Sequence, residues 1–342
     1  MSTKDIIIMI LVPFLFTLVF MPVVMKIARH IGAMDIPNQR KVHKTPIPRL
    51  GGLGIYLGFL LGYVLFGQMS LRMNAILIGS IIIIITGIID DINPIPAKVK
   101  LLGQIAAASV VAIYGQILLQ DISAFGLYIN FSYFSYPITI IFIVAIINCI
   151  NLIDGLDGLS SGLASIYFLT IGIVSIHLHN GFGLDTILTF IMLGSTLGFL
   201  FHNFPPAKIF MGDTGSLFLG FMISVIALLG YKVTTFTSLV VPIVVLAIPI
   251  FDTLFAILRR LLKGQSIAEA DKEHFHHQLL KMKYSTVASI LIIYAIDITF
   301  AAVSILYVLG DNQLAIAIYV VLMILLLFVI LRTDILFEHK KK

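Results

Sequence analysis

The chain has 342 residues, 59% of them hydrophobic and 11% charged, with a mean hydropathy of +1.08 and a formal net charge of +5 at pH 7. A soluble domain carries roughly 25% charged residues, so a soluble globular protein is excluded and a multi-pass membrane protein is expected. The single cysteine, Cys149, excludes an internal disulfide.

The elements follow in chain order. The N-terminal MSTKDIIIMILVPFLFTLVF has no A-x-A-like cleavage site and its apolar run continues past Val24, so it reads as a first span and not a signal peptide. Runs of about 20 apolar residues predict spans over 6–28, 51–67, 74–89, 99–118, 135–150, 162–179, 187–203, 215–230, 238–258, 287–308 and 314–332. The stretch 119–134 alternates enough to predict a short external hairpin. With the N-terminus outside, only Lys4, Arg72 and Lys232 face outward, and the other 19 of the 22 Lys and Arg residues fall on cytoplasmic segments. That asymmetry satisfies the positive-inside rule, explains the basic charge without a nucleic acid, and puts the C-terminus in the cytoplasm. The expected architecture is all-α, one integral-membrane domain over 1–342, with polar loops 29–50, 90–98, 151–161, 204–214 and 259–286 on the cytoplasmic side.

Those loops carry the chemistry. RKVHKTPIPRLGG (40–52) is basic; Lys44 is a candidate anion contact, as is Lys100 in KLLGQ. IIIIITGIIDDINP (81–94) ends an apolar run in Asp90 and Asp91. A single acid there would simply stop a span. An adjacent pair repels itself and suits a base or a magnesium site better. NCINLIDGLDGLSSG (148–162) sets Asn148, Asn151, Asp154 and Asp157 three residues apart, which on a helix gathers them on one broad face. FMGDTGS places Asp213 before the eighth span, as a helix cap or beside a phosphate held at a helix N-terminus. His274, His276 and His277 in ADKEHFHHQLL lack the spacing of a helical zinc pair and suit diphosphate binding. Asp252 is expected to orient the basic residues after it, and Asp297 is an intramembrane charge.

The ordered motifs GIIDD, KLLGQ, NLIDGLDGLSSG, FMGDTGS and HFHH cover nearly the whole chain and resemble the polyprenyl-phosphate N-acetylhexosamine-1-phosphate transferases. The basic and histidine loops look like the branch that passes N-acetylglucosamine-1-phosphate from UDP-N-acetylglucosamine to undecaprenyl phosphate. That step releases UMP and starts a cell-envelope polysaccharide such as teichoic acid or O-antigen. The resemblance implies a bacterial cytoplasmic-membrane enzyme using Mg2+, with Mn2+ as an alternative. Its partners would be a UDP-N-acetylhexosamine, undecaprenyl phosphate and the bilayer; a homodimer is left open. Asp90 and Asp91 would be catalytic. Asn151 and Asp213 would hold the metal. Lys44, Lys100, Asn148, Asp154, Asp157, His274, His276 and His277 would bind substrate. The competing readings are phospho-N-acetylmuramoyl-pentapeptide transfer, an ion-coupled transporter, whose acids would sit at the midplane of paired halves, and an intramembrane aspartyl protease.

Overall fold

The computed structural model describes residues 2–37, 45–124, 127–179, 183–231, 240–262, 264 and 274–332. The fold is all-α. Its helices are α1 (Thr3–Ile31), α2 (Gly51–Phe66), α3 (Leu71–Ile92), α4 (Ala97–Ser109, prolonged by a π-helical turn over Val110–Tyr114), α5 (Ser135–Ile153), α6 (Leu159–His179) and α7 (Leu184–Asn203). They continue as α8 (Gly212–Tyr231), α9 (Val240–Val245), α10 (Ala247–Leu262), α11 (Phe275–Lys281), α12 (Thr286–Leu309) and α13 (Asn312–Arg332). Among the described residues, 8 helices are long and apolar enough to cross a membrane, and α2 and the apolar part of α13 are shorter.

Helix starts follow local chemistry. Ser2 and Asp5 form a capping box on α1, and Ser70 and Ser285 cap α3 and α12 by accepting a backbone N–H. Two short ladders punctuate the helices: β1 (Met34–Asp35) with β2 (Ile47–Pro48), and β3 (Asp121–Ala124) with β4 (Leu127–Asn130). The second is the hairpin expected over 119–134; the first has no alternating signal long enough to read.

The expected span 238–258 is not one helix. It is α9 followed by α10, and Pro249 is the physical reason, since it lacks the N–H that would bond to Val245 O and its ring crowds that carbonyl. α10 also turns its polar face inward: Asp252, Arg259 and Arg260 are buried while Leu254, Leu258, Leu261 and Leu262 are exposed. Hydrophobicity averaged over a window hides such a division, whereas the 3.6-residue period reveals it.

α8 is the centre of the bundle. Every residue from Thr214 to Leu228 is buried, with α2, α3, α5 and α7 packed around it and α1 outside α2 and α7. On the far side α12 packs on α6, α9 and α13. The chain preceding α2 is sewn to the chain preceding α8: Gly51 N–H donates to Phe210 O and Gly52 N–H to Met211 O, both at 2.9 Å, and Phe210 N–H donates to Pro48 O at 2.8 Å. Glycine is required at this seam, because a Cβ on Gly52 would lie 2.1 Å from Gly215 N. These contacts bring the α1–α2 link, the end of α3 and the start of α8 to one end of the bundle.

Gly52→Ala is expected to destabilise the protein by about 1–3 kcal/mol or more, because backbone and not a flexible side chain meets the new methyl. Thermal unfolding in detergent tests this; an unchanged midpoint would contradict the seam.

Candidate active site

Asp91 is the hub. It lies at the C-terminal end of α3, fully desolvated, and accepts Asp213 N–H at 2.8 Å, Thr214 N–H at 3.0 Å and Thr214 Oγ1–H at 2.6 Å. Its carboxylate thus satisfies the first free N–H groups of α8 from outside that helix. Arg49 closes the charge, with Nε 3.1 Å from Asp91 Oδ1 and Nη2 3.0 Å from Asp213 Oδ1. Lys100 on α4 bridges the other side, 2.9 Å from Asp213 Oδ2 and 3.3 Å from Asp90 Oδ2. Asp90 Oδ1 accepts Ile95 N–H at 2.9 Å, which folds the α3–α4 turn back onto the acid.

Beside this network opens a cleft of about 210 Å³ whose lining includes Arg49, Asn151, Asp154, Asp157, Asn203 and Asp213. Asn151 donates its amide N–H to Ser216 Oγ at 2.8 Å, which leaves its carbonyl oxygen as an acceptor. Burial, with Asp213 adding to it, pushes the Asp154 carboxyl up to about 8. Asp157 Oδ2 accepts Ala207 N–H at 3.2 Å, and Asn203 Oδ1 accepts Gly158 N–H at 2.9 Å, so the glycine-rich turn is bound to the chain entering α8.

The expected four-residue helical face does not form. α5 ends at Ile153, Asp154 sits at its C-cap with φ −74° and ψ 50°, and Gly158 at φ +78° carries the turn away from the helix axis. Glycines at 155 and 158 break the helix before its period can align the acids. Asn148 also leaves the group: it donates to Gln104 Oε1 at 2.7 Å and to Val144 O at 2.8 Å, an interhelical tie between α5 and α4 outside the cleft lining.

The histidine loop approaches from α11. His276 is buried, neither ring nitrogen has a partner among the described residues, and its ring lies against Gly155, where a Cβ would come within 2.5 Å of Nε2. Burial, with His277 adding to it, pushes His276 down to about 3, so the ring is neutral. His274 stacks on it with centroids 5.7 Å apart. His277 packs on His276 at 4.2 Å. Lys44 lies outside the described residues.

The structure therefore gathers Asp90, Asp91, Lys100 and Asp213 in one network, and Asn151, Asp154, Asp157 and Asp213 around one cleft, with His276 against the rim. Arg49 and Asn203 were missed. Arg49 stands in PRLGG as one basic residue among several; its neighbouring glycine pair, the seam onto α8, was the signal.

The glycosyl transferase family 4 model matches residues 73–231, from α3 to α8. A probable undecaprenyl-phosphate N-acetylglucosaminyl 1-phosphate transferase of Bacillus subtilis is 43% identical over 301 residues, covering 86% of this chain and 83% of the relative. The chain belongs to this transferase family. A decaprenyl-phosphate N-acetylglucosaminephosphotransferase of Mycobacterium tuberculosis is 32% identical over 78% of this chain and 74% of the relative. The undecaprenyl-phosphate alpha-N-acetylglucosaminyl 1-phosphate transferase of Escherichia coli K12 is 29% identical over 80% of this chain and 76% of the relative. For this family 4 chain, the matched segment holds the carboxylate network and the cleft, while Arg49 and the histidine loop lie outside it.

Arg49→Ala is expected to cost about 3–5 kcal/mol, since it leaves Asp91 buried without its cation. In a double-mutant cycle with Asp91→Asn the two losses in stability are expected to be less than additive, and additive losses would refute the pairing.

Proposed function

We propose that the chain transfers N-acetylglucosamine-1-phosphate from UDP-N-acetylglucosamine to undecaprenyl phosphate and releases UMP, at the cytoplasmic face of a bacterial membrane. The observation that carries this reading is the union of an oxygen-lined cleft with the Arg49–Asp91–Asp213–Lys100–Asp90 network at one end of an apolar bundle. In the reaction an oxygen of the lipid phosphate attacks the phosphorus that bears the sugar. The bond from that phosphorus to the bridging oxygen breaks, and UMP leaves with the electron pair. A phosphate monoester is mostly ionised at pH 7, so the acceptor needs positioning and charge neutralisation more than a base.

The donor set fits a hard divalent cation such as Mg2+ or Mn2+. Asn151 offers a carbonyl oxygen and Asp213 a carboxylate, both on the cleft. Among the described residues no three acids, histidines or cysteines form a ready metal cluster. That suits an ion completed by substrate phosphates, as magnesium in phosphoryl-transfer sites commonly is. When bound, it would neutralise developing phosphate charge.

The protein's own groups then divide the work. Asp91 has its oxygens filled by α8 and Arg49, and so fixes Asp213 in place. Lys100 spans Asp213 and Asp90 and can pass a hydrogen bond to a phosphate oxygen. Asp157 and Asn203 hold the glycine turn open for the nucleotide-sugar.

Purified protein with undecaprenyl phosphate and a panel of UDP-sugars is expected to release UMP with UDP-N-acetylglucosamine; silence with every UDP-N-acetylhexosamine would sink the reading. Asp213→Asn, which keeps the shape of the side chain, is expected to lower turnover on the order of 10²-fold or more while the protein stays folded with a lowered unfolding temperature, since Arg49 and Lys100 keep Asp91 and Asp90 as partners. Near-parental turnover would remove Asp213 from the site.

A further inference from the structure

Asp252 anchors the histidine loop, and the reaction above gives neither of them a role. It lies on the inward polar face of α10, and its carboxylate makes two bonds across a gap of 22 and 23 residues in sequence. Oδ2 is 2.7 Å from His274 Nδ1, and Oδ1 accepts Phe275 N–H at 2.8 Å. Asp252 and His274 are both buried, at 7% and 5% exposure. One carboxylate thus holds the ring of His274 and the start of α11 together.

We propose that Asp252 is a positioning residue for the transfer reaction, acting through His274. This rests on the transferase reading. A carboxylate only accepts hydrogen bonds, so His274 Nδ1 must carry the hydrogen. The ring is then locked in orientation, and Nε2 is the nitrogen left to meet a substrate group. His274 stacks within 2° of parallel on His276, whose ring rests on Gly155 of the cleft rim. The Asp252 bond therefore sets the plane of two rings at the cleft and not of His274 alone. Asp252 reaches the loop because it lies on the buried face of α10.

Asp252→Asn separates positioning from mere structural support. The amide oxygen can still accept Phe275 N–H, so the loop start keeps its anchor. The amide NH2 now faces His274 Nδ1 as a donor and selects the opposite tautomer. In protein carrying ¹⁵N-histidine, with the His274 signal assigned by its loss in His274→Gln, the parent is expected to show the hydrogen on Nδ1 and Asp252→Asn to show it on Nε2. Turnover of UMP release is expected to fall on the order of 10²-fold, the scale at which orienting carboxylates act. The donor KM should move less than about twofold, since the lost interaction serves the transition state. Asp252→Glu is expected to restore the Nδ1 hydrogen and part of the turnover. Asp252→Asn with parental turnover, or His274 with the hydrogen on Nε2 in the parent, would overturn the proposal. A parent silent with every UDP-sugar would instead overturn the transferase reading, and the tautomer measurement would still decide the Asp252–His274 geometry.

Discussion

The site rests on one buried carboxylate that acts as a cap. Asp91 ends α3 and begins α8: its oxygens take the free N–H groups of Asp213 and Thr214 and the Thr214 hydroxyl. A helix N-terminus is electropositive, so the acid is stabilised where an isolated buried charge would be costly. Arg49 completes the neutralisation and ties in the α1–α2 link. Gly212 then has no freedom to be anything larger: at φ +70°, a Cβ would lie 2.4 Å from Asp91 Oδ2. Gly87 is fixed by the same closeness, with Thr214 Cα 2.4 Å from where its Cβ would be. The glycines of GIIDD and FMGDTGS are thus the space Asp91 needs to reach α8.

Much of this was legible in the sequence because it is local. The apolar runs became helices, with 238–258 divided in two, Asp90 and Asp91 fell at a helix end, and the histidine loop followed a helix with a basic end. The failures share a cause. The predicted face of Asn148, Asn151, Asp154 and Asp157 assumed that a helical period persists through glycines, and it does not. Asp252 was expected to serve the arginines that follow it, yet its partners are His274 and Phe275 at the start of α11. The pairing of Arg49 with Asp91 and Asp213 spans α2, α3 and the length of chain to α8. Contacts set by which helices pack together leave no periodic trace in one sequence; only the glycines that permit the approach do.

Charge then constrains what the cleft can hold. Asp154, Asp157 and Asp213 line it along with Arg49, and Asp90 and Asp91 stand behind it. Arg49 and Lys100 are already spent on Asp91, Asp213 and Asp90. A diphosphate brought alone to such a surface would meet net repulsion; burial first, and Asp213 after it, already hold the Asp154 carboxyl up in its neutral form. Positive charge that travels with a phosphorylated donor or binds beside it would offset that repulsion. This is the electrostatic reason that a cation belongs to the proposed chemistry.

α3 shows how one helix can serve a substrate with an apolar tail and a charged head. Its 22 residues span about 33 Å at 1.5 Å per residue, the thickness of a bilayer's hydrocarbon core. Ile81, Ile85, Ile89 and Ile92 form an exposed stripe, while Ile83, Ile84, Gly87, Asp90 and Asp91 are buried on the opposite side. The isoleucine run is therefore two surfaces in helical register and not one uniform anchor. The outer surface is at home in lipid, and the inner one tightens against α8 until the two acids meet its N-terminus. Because both faces belong to one helix, the depth at which the stripe sat in lipid would also set the height of Asp90 and of Lys100 bonded to it. In the proposed reaction the acceptor's phosphate, carried on a lipid chain, would be held to that same height. A reaction between a lipid-borne and a water-borne substrate is thereby reduced to an encounter at one level, which is the positioning that direct phosphoryl transfer most requires.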